Sequence, residues 1–255
     1  MHTWYWHTWQ DLPYLSCSLL DAWRHGFFTR QFAPRRPEDL VSALDAVVSV
    51  HWVRQVHGNV VLTPIEIEAN PETDRPAADG VLSDRSNQAV WVATADCVPA
   101  LIADVATGQV AAVHAGWRGT AQRIVPQAIA RMQSQGSRIA DLRVALGPAI
   151  AGEMYQVSTS CAAEVAASIL PEMVDASARL DKLQQHPRSP LLDDPQPDRI
   201  RLDVRGVNAL QLEQLGFAPE QVAIAPFCTY AQPDFFFSYR RERLKQVQWS
   251  GIASR

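Results

Sequence analysis

Residues 94–120 read TADCVPALIADVATGQVAAVHAGWRGT, and this stretch decides how the chain folds. Two apolar runs of strand length, Val98–Ala103 and Gln109–His114, are joined by a short connection that ends at Gly108. Glycine readily adopts the left-handed backbone conformation that short hairpin loops need. The stretch therefore predicts an antiparallel hairpin, and the glycine-containing turn after it predicts the start of a helix.

The predicted hairpin brings two metal-binding side chains together. Its turn is predicted to be centred between Val105 and Ala106. Cys97 then lies opposite His114, and directly opposed residues of an antiparallel pair have β-carbons about 4.5–5.5 Å apart. That distance allows a thiolate and an imidazole to bind one metal ion, and a mixed Cys/His set suits zinc. Pro99 cannot donate to the ladder and often marks a bulge, which would shift this register.

A catalytic zinc usually has about three protein ligands and one open position. His57, in the segment RQVHG at residues 54–58, is the best third candidate, because the following glycine lets the backbone turn just after the side chain. Two other interpretations of these residues stay open. A cysteine at a strand end is usually a small buried hydrophobe. Cys97 could also be the nucleophile of a cysteine hydrolase, with His114 as its base.

The turn after the hairpin has the composition of an anion-binding loop. Glycines at both ends of Gly116–Gly119 let backbone amides approach an anion closely, and Arg118 between them offers a fork of donors suited to phosphate. Arg30, in the segment GFFTR at residues 26–30, is a second candidate for the same anion. Asp79 and Asp96 supply carboxylates that could bind the substrate or orient a metal-bound histidine.

Strand-like and helix-like segments alternate along the rest of the chain. Predicted strands are Val47–Val53, Val60–Glu68, Ala89–Ala95, Arg143–Leu146, Val222–Ala225 and Phe235–Tyr239. Predicted helices are the segment from Ile124 to Met132 that stops at Gly136, Ser158–Leu170, and a helix capped by Asp203 that runs through Leu215 to Gly216. The proline-rich stretch Asp181–Asp198 is predicted to be a long surface loop. Many strands without a strict βαβ rhythm predict an α+β fold, and too few residues follow the loop for a second core, so residues 1–255 are expected to form one domain.

Size and composition exclude several classes of function. The chain has 255 residues, of which 47% are hydrophobic, so it can bury a large core without disulfides. Its four cysteines form no Cys-x-x-Cys pair, which indicates free thiols in a reducing compartment. A net charge of −4 without a basic block argues against nucleic acid as a partner. Neither a signal peptide nor an apolar run of about eighteen residues is present, so a cytoplasmic location without membrane contact is expected.

A series of short motifs occurs in one order along nearly the whole chain. They are FFTR at 27–30, QVHG at 55–58, ADG at 78–80, TADC at 94–97, VHAGWRGT at 113–120, LGPAI at 146–150, FCT at 227–229 and FFSYRR at 236–241. With these motifs the chain resembles the purine nucleoside phosphorylase family once labelled multicopper polyphenol oxidase or laccase domain.

The resemblance implies a fold, a metal site and a reaction. The fold is the YfiH-like layered α/β/β/α sandwich with mixed sheets. Carried over by motif, the ligands of one zinc ion are His57, Cys97 and His114. The family's activity is phosphorolysis of adenosine, inosine, guanosine and methylthioadenosine, with adenosine deamination as a second activity. Small-molecule nucleosides and phosphate are therefore the expected partners, and the oligomeric state is left open.

Three alternatives remain beside the phosphorylase. Copper oxidation of phenols is disfavoured, because a four-copper centre uses many histidines, and this chain has seven and no His-x-His pair. A cysteine hydrolase that acts in peptidoglycan precursor editing uses the same Cys97 and His114. A non-catalytic binding module is the third, because the chain departs from the family near its C-terminus, where Glu242 follows Arg241 in place of the usual aspartate.

Overall fold

The computed structural model describes residues 2–44, 48–69 and 75–255. Within them, most strands belong to two six-stranded mixed sheets, and elements are numbered here in chain order. The first sheet has the order β1 (Trp4–Trp9), β2 (Leu12–Cys17), β3 (His25–Phe28), β15 (Gln248–Ala253), β7 (Gln88–Thr94) and β4 (Ser49–His51). The second has the order β14 (Val222–Ile224), β10 (Leu142–Leu146), β8 (Val98–Asp104), β9 (Val110–Ala115), β6 (Gly80–Leu82) and β5 (Val61–Leu62).

Besides several short 3-10 helices, the described residues contain a small third sheet and the α-helices. The third sheet has the order β11 (Gln156–Ser158), β13 (Arg199–Leu202) and β12 (Leu191–Leu192). The helices are α1 (Pro37–Leu40), α2 (Pro64–Glu68), α3 (Trp117–Ala121), α4 (Ile124–Ser134), α5 (Thr159–Ala167), α6 (Ala176–Gln184), α7 (Val204–Gln214) and α8 (Tyr239–Glu242). No helix in the described ranges is both long enough and apolar enough to span a membrane.

Alternate residues of the central strands supply different cores. On β8, Ile102 packs with α4, α5 and α7, whereas Leu101 faces the first sheet. On β7, Val92 lies between the two sheets, and Trp91 packs on the outer side with Leu40 of α1. The layer order is therefore helices, second sheet, first sheet, short helices, which is a mixed α+β sandwich. Strands buried on both faces read as nearly continuous apolar runs, as β7 and β8 do here.

The predicted hairpin forms, but in a different register from the one expected. Val98 pairs with Ala115 and Pro99 pairs with His114, so the predicted pairing of Cys97 with His114 is wrong by two residues. The loop is centred one residue later than expected, and Gly108 adopts a φ of +77° in it. Because side chains alternate between faces with a period of two, a shift of two residues leaves Cys97 and His114 on the same face.

The predicted strand Val60–Glu68 is wrong beyond its first residues. Only Val61–Leu62 is extended, and Pro64–Glu68 is helix α2. Thr63 and Glu66 form a capping box in which Glu66 Oε2 accepts a hydrogen bond of 2.7 Å from the Thr63 backbone nitrogen. Pro64 sits in the first turn of the helix, where its missing N–H costs nothing. This local start signal outweighs the strand preference of the β-branched residues.

Two further predictions need correction near the C-terminus. The surface loop predicted at Asp181–Asp198 begins too early, because α6 continues to Gln184 and β12 forms within the rest. Asp175 caps α6 by accepting a hydrogen bond of 2.7 Å from the Ala178 backbone nitrogen. Phe235–Tyr239 is not a strand: Phe235 ends a turn, residues 236–238 are irregular, and Tyr239 begins α8.

The remaining predicted elements agree with the structure to within a few residues at their ends. Helices α4, α5 and α7 and strands β7, β8, β9, β10 and β14 lie where the periodicity places them. Asp203 caps α7 by accepting from the Arg205 backbone nitrogen at 3.0 Å, and Gly216 ends that helix region with a φ of +92°. Strand β4 covers the middle of the predicted strand Val47–Val53, whose first residue lies outside the described residues.

Candidate metal centre

His57, Cys97 and His114 converge at one end of the central strands. Their candidate ligand atoms all lie within 4.8 Å of one another. His114 belongs to β9, Cys97 immediately precedes β8, and His57 lies in the irregular connection between β4 and β5. His114 is buried, Cys97 is half-buried and His57 is exposed, so the group opens to solvent on the His57 side. These are the three residues that the sequence predicts as metal ligands.

A buried carboxylate, Asp79, organises two of the three residues. Its Oδ1 accepts hydrogen bonds from Nδ1 of His114 at 2.9 Å and from the backbone nitrogen of His57 at 2.8 Å. Its Oδ2 accepts a bond of 2.7 Å from the backbone nitrogen of Gly58. His57 has a φ of +62°, a left-handed conformation that these bonds help to hold. Because Nδ1 of His114 is engaged, its Nε2 is the nitrogen left for the centre.

The charges of this group reinforce one another. Burial opposes ionisation of the Cys97 thiol, but His114 and His57 outweigh that effect and lower its pKa to about 6. Burial also opposes the charged form of His114, yet Cys97 and Asp79 raise its pKa to about 9. Burial alone would raise the pKa of Asp79, but its bonds to His114 and to the Gly58 backbone lower it. These charges favour the thiolate form of Cys97 at neutral pH, which is the form that binds metals and acts as a nucleophile.

Two glycines of the turn after β9 are explained by close packing against the centre. A β-carbon on Gly116 would lie 2.9 Å from Cys97 Sγ and 3.3 Å from Cδ2 of His57. A β-carbon on Gly119 would lie 2.8 Å from the carbonyl oxygen of Gly58. The predicted helix does begin here, as α3. Contact between these glycine amides and an anion stays a prediction.

The two predicted phosphate-binding arginines have different surroundings. Arg118 is exposed, its guanidinium lies 4.4 Å from the centre of the Trp117 ring, and it forms no ion pair with another described residue. Arg30 donates to Glu242 Oε1 at 2.7 Å and to the Pro233 carbonyl at 2.9 Å. The charge of Arg30 is thus already paired, and its binding of phosphate stays a prediction.

Asp96 directly precedes Cys97 and binds two segments that are distant in sequence. Its Oδ1 accepts a bond of 2.7 Å from the Thr229 hydroxyl, and its Oδ2 accepts one of 2.7 Å from the backbone nitrogen of Arg240. Asp96 itself has a φ of +86°. The segments FCT and FFSYRR therefore meet the centre through this one carboxylate. Direct contact of Asp96 with a substrate stays a prediction.

Sequence reasoning missed two residues beside the centre, Tyr155 and Arg240. The Arg240 guanidinium lies 4.7 Å from the centre of the Tyr155 ring and donates to the Gln156 carbonyl at 2.8 Å. Burial raises the pKa of the Tyr155 phenol, and the negative charge of Cys97 raises it further, which indicates that the two groups are near one another. The only signal for Arg240 in the sequence is its place in the FFSYRR motif.

The chain is similar in sequence to several bacterial proteins named purine nucleoside phosphorylase. One from Synechocystis sp. is 50% identical over 256 residues, which cover 98% of this chain and 97% of that protein. One from Mycobacterium tuberculosis is 34% identical over 194 residues, which cover 76% of this chain and 67% of that protein.

Two solved structures share the fold at low sequence identity. YlmD from Geobacillus stearothermophilus superposes with a TM-score of 0.76 at 23% identity, over 97% of this chain and 98% of the other. The YfiH protein of Bacillus licheniformis gives a TM-score of 0.75 at 23% identity, over 95% and 96% of the two chains. The predicted YfiH-like sandwich is thereby confirmed. The profile of the family described as multi-copper polyphenol oxidoreductase laccase matches residues 35–251, and the chain belongs to that family.

Proposed function

We propose that the chain is a zinc-dependent purine nucleoside phosphorylase. It cleaves adenosine, inosine, guanosine and methylthioadenosine with phosphate, and it also deaminates adenosine. The observation that carries the proposal is the convergence of His57, Cys97 and His114, with their ligand atoms within 4.8 Å of one another. A relative that is 50% identical and is named purine nucleoside phosphorylase supports the same reaction class.

The donor set fits zinc. One thiolate and two imidazoles leave a fourth tetrahedral position for water or substrate, as in catalytic zinc sites. A metal-bound histidine usually donates its other ring N–H to a carboxylate, and His114 does so to Asp79. A multicopper centre needs several imidazole-rich sites. In the described parts of the chain, this is the one His/Cys/Asp/Glu group with metal-binding spacing.

The residues of the chain have separate tasks in the proposed phosphorolysis. A bound zinc ion would supply Lewis acidity or lower the pKa of a bound water. Asp79 keeps His114 in one tautomer and orientation. Arg118 neutralises the phosphate whose oxygen attacks C1′ of the ribose, while the bond from C1′ to the purine breaks. Holding that phosphate close to the nucleoside lowers the entropic part of the barrier. In deamination, water attacks the amino-bearing carbon of adenine instead, the bond from that carbon to the amino nitrogen breaks, and ammonia leaves to give inosine.

The test is to identify the products from adenosine and zinc-loaded protein, with and without phosphate. Adenine and ribose 1-phosphate that form only with phosphate support the phosphorylase. Cys97→Ala should abolish this conversion. Cys17→Ala is the matched control, because Cys17 is a buried thiol in β2 outside the centre. Inosine without adenine would indicate deamination alone, and no conversion of any purine nucleoside would overturn the proposal.

A second candidate is a cysteine hydrolase that acts on a cell-wall amide. It is favoured by the order Cys97, His114, Asp79, in which a thiolate faces an imidazole whose Nδ1 is 2.9 Å from a carboxylate. The two candidates differ in their response to metal removal. A chelator should abolish zinc-dependent phosphorolysis, whereas a hydrolase would stay active and form a substrate-derived acyl adduct on Cys97.

A further inference from the structure

Arg240 is tied closely to the candidate metal centre. Its backbone nitrogen donates to Asp96 Oδ2 at 2.7 Å, and Asp96 directly precedes Cys97. Its guanidinium rests on the Tyr155 ring at 4.7 Å, and Nη1 donates to the Gln156 carbonyl at 2.8 Å. One ring face and one carbonyl therefore fix the plane of the guanidinium, and its remaining N–H groups have no partner among the described residues.

Arg118 approaches the same region from a different element of the fold. It lies in α3, whose preceding residue Gly116 packs against Cys97 Sγ, and α3 packs against α5. Cys161 stands in the first turn of α5. Burial and Glu164 raise the pKa of its thiol to about 11, while Arg118 and Arg240 both act to lower it. The geometry agrees with this, because Arg240 donates to Gln156 in β11, which leads directly into α5, the helix against which α3 packs.

The arginines fall into two groups: those that form an ion pair with a carboxylate and those that do not. Glu242 accepts from Arg30 at 2.7 Å and from Arg241 at 3.0 Å. Arg241 also donates to the carbonyls of Thr229, Tyr230 and Phe236. Arg118 and Arg240 form no ion pair with a carboxylate of the described residues. Two such guanidinium groups beside one site provide the donors and the positive charge that a phosphate dianion requires.

We infer that Arg118 and Arg240 together form the subsite for inorganic phosphate, with Arg240 rather than Arg30 as the second arginine. This inference rests on the proposed phosphorylase function and names the residues that bind its co-substrate. Tyr155 is a positioning residue, because the Arg240 guanidinium packs on its ring. Glu242 keeps Arg30 out of the subsite by pairing with it.

The direct test is calorimetric titration of inorganic phosphate into zinc-loaded protein. Arg118→Gln and Arg240→Gln should each weaken phosphate binding about tenfold to a hundredfold, the loss expected for charge-assisted hydrogen bonds. Arg240→Lys keeps the charge without the fork and should lie between Arg240→Gln and the unchanged protein. Arg199→Gln is the matched control. Arg199 is exposed in β13, and its substitution changes the net charge by the same amount.

Two results would overturn the subsite. One is that the unchanged protein does not bind phosphate at all. The other is that Arg240→Gln and Arg240→Lys bind phosphate normally while Arg30→Gln does not. Zinc content and thermal midpoint are measured for every variant, so that a folding defect is recognised. If Arg240→Gln does not fold, the outcome rests on Arg240→Lys and Arg118→Gln.

Steady-state kinetics separates failure of the subsite from failure of the proposed function. In the arginine variants the KM for phosphate should rise by the same factor as the dissociation constant, while the KM for adenosine changes little. If phosphate binding depends on Arg240 but the protein catalyses no phosphorolysis, the subsite is supported and the proposed function is rejected. Phosphorolysis with an unchanged KM for phosphate in Arg240→Gln would keep the function and reject the subsite.

Discussion

Asp79 joins His114 to the turn that carries His57: its Oδ1 lies 2.9 Å from His114 Nδ1 and 2.8 Å from the backbone nitrogen of His57. One carboxylate oxygen thus orients a candidate ligand from the sheet and a candidate ligand from a loop. The geometry of the centre therefore depends on Asp79, although both of its carboxylate oxygens are engaged in hydrogen bonds within the protein.

Asp79→Asn should weaken zinc binding about tenfold to a hundredfold, the usual effect of losing a carboxylate behind a metal-bound histidine. An amide keeps the size of the side chain, but its NH₂ replaces one of the two accepting oxygens, so either the bonds from His114 and the His57 backbone or the bond from the Gly58 backbone are lost. Competition with a chromophoric chelator measures the zinc affinity.

Asp84→Asn is the control for this change. Asp84 also accepts from a backbone nitrogen, that of Ile65 at 2.9 Å, and from Gln88 at 2.8 Å, but it lies outside the centre. It should lower the free energy of unfolding by about 1–3 kcal/mol without changing the zinc affinity. Equal zinc affinity in both variants would contradict the role given to Asp79.

Gly116→Ala should damage the centre more than it damages the fold. The added β-carbon would lie 2.9 Å from Cys97 Sγ, so the sulfur must move. Zinc affinity and turnover should both fall, as measured by chelator competition and product formation. Gly136→Ala is a matched control, because a β-carbon there meets nothing within 4 Å and the cost is only backbone strain at a φ of +104°. Unchanged zinc affinity in Gly116→Ala would show that Cys97 has room to shift.

The sequence predicts that His57, Cys97 and His114 come together, and they do so even though the hairpin register differs by two. Cys97 and His114 stay on one face because strand side chains alternate with a period of two. His57 is predictable only from the glycine that follows it. Arg240 and Tyr155 are not predictable from local pattern, because their approach depends on Asp96 and on packing between segments far apart in the chain.

Local signals also decide where the fold departs from expectation. The β-branched segment after Val61 is typical of a strand, but Thr63, Pro64 and Glu66 form a helix start that is stronger than that preference. The proline-rich stretch after Asp181 has no period, yet its first residues continue a helix capped by Asp175. In both places the decisive residues are caps, which periodicity does not detect.

Cys97 should be the cysteine most readily alkylated in metal-free protein at neutral pH, compared with Cys17 and Cys161. Its pKa is lowered to about 6, so the thiolate is present above pH 6 and is lost as the pH falls through that value. Burial raises the pKa of Cys17 and of Cys161 to about 11. From pH 7 to pH 5 the rate of Cys97 modification by iodoacetamide should fall about tenfold. Peptide mass spectrometry gives the rates, and a midpoint near 9 would refute the thiolate assignment.

Zinc should stabilise the protein through this centre. A ligand that binds only the folded state at a hundred times its dissociation constant adds about 2.7 kcal/mol. For a chain of this size, that corresponds to a rise of about 5–10 °C in the thermal midpoint. A chelator should remove the rise from the unchanged protein and have no effect on Cys97→Ala. His186→Ala, a change at an exposed histidine outside the centre, should keep the full rise. An equal response to zinc in Cys97→Ala and in the unchanged protein would place the metal elsewhere in the chain.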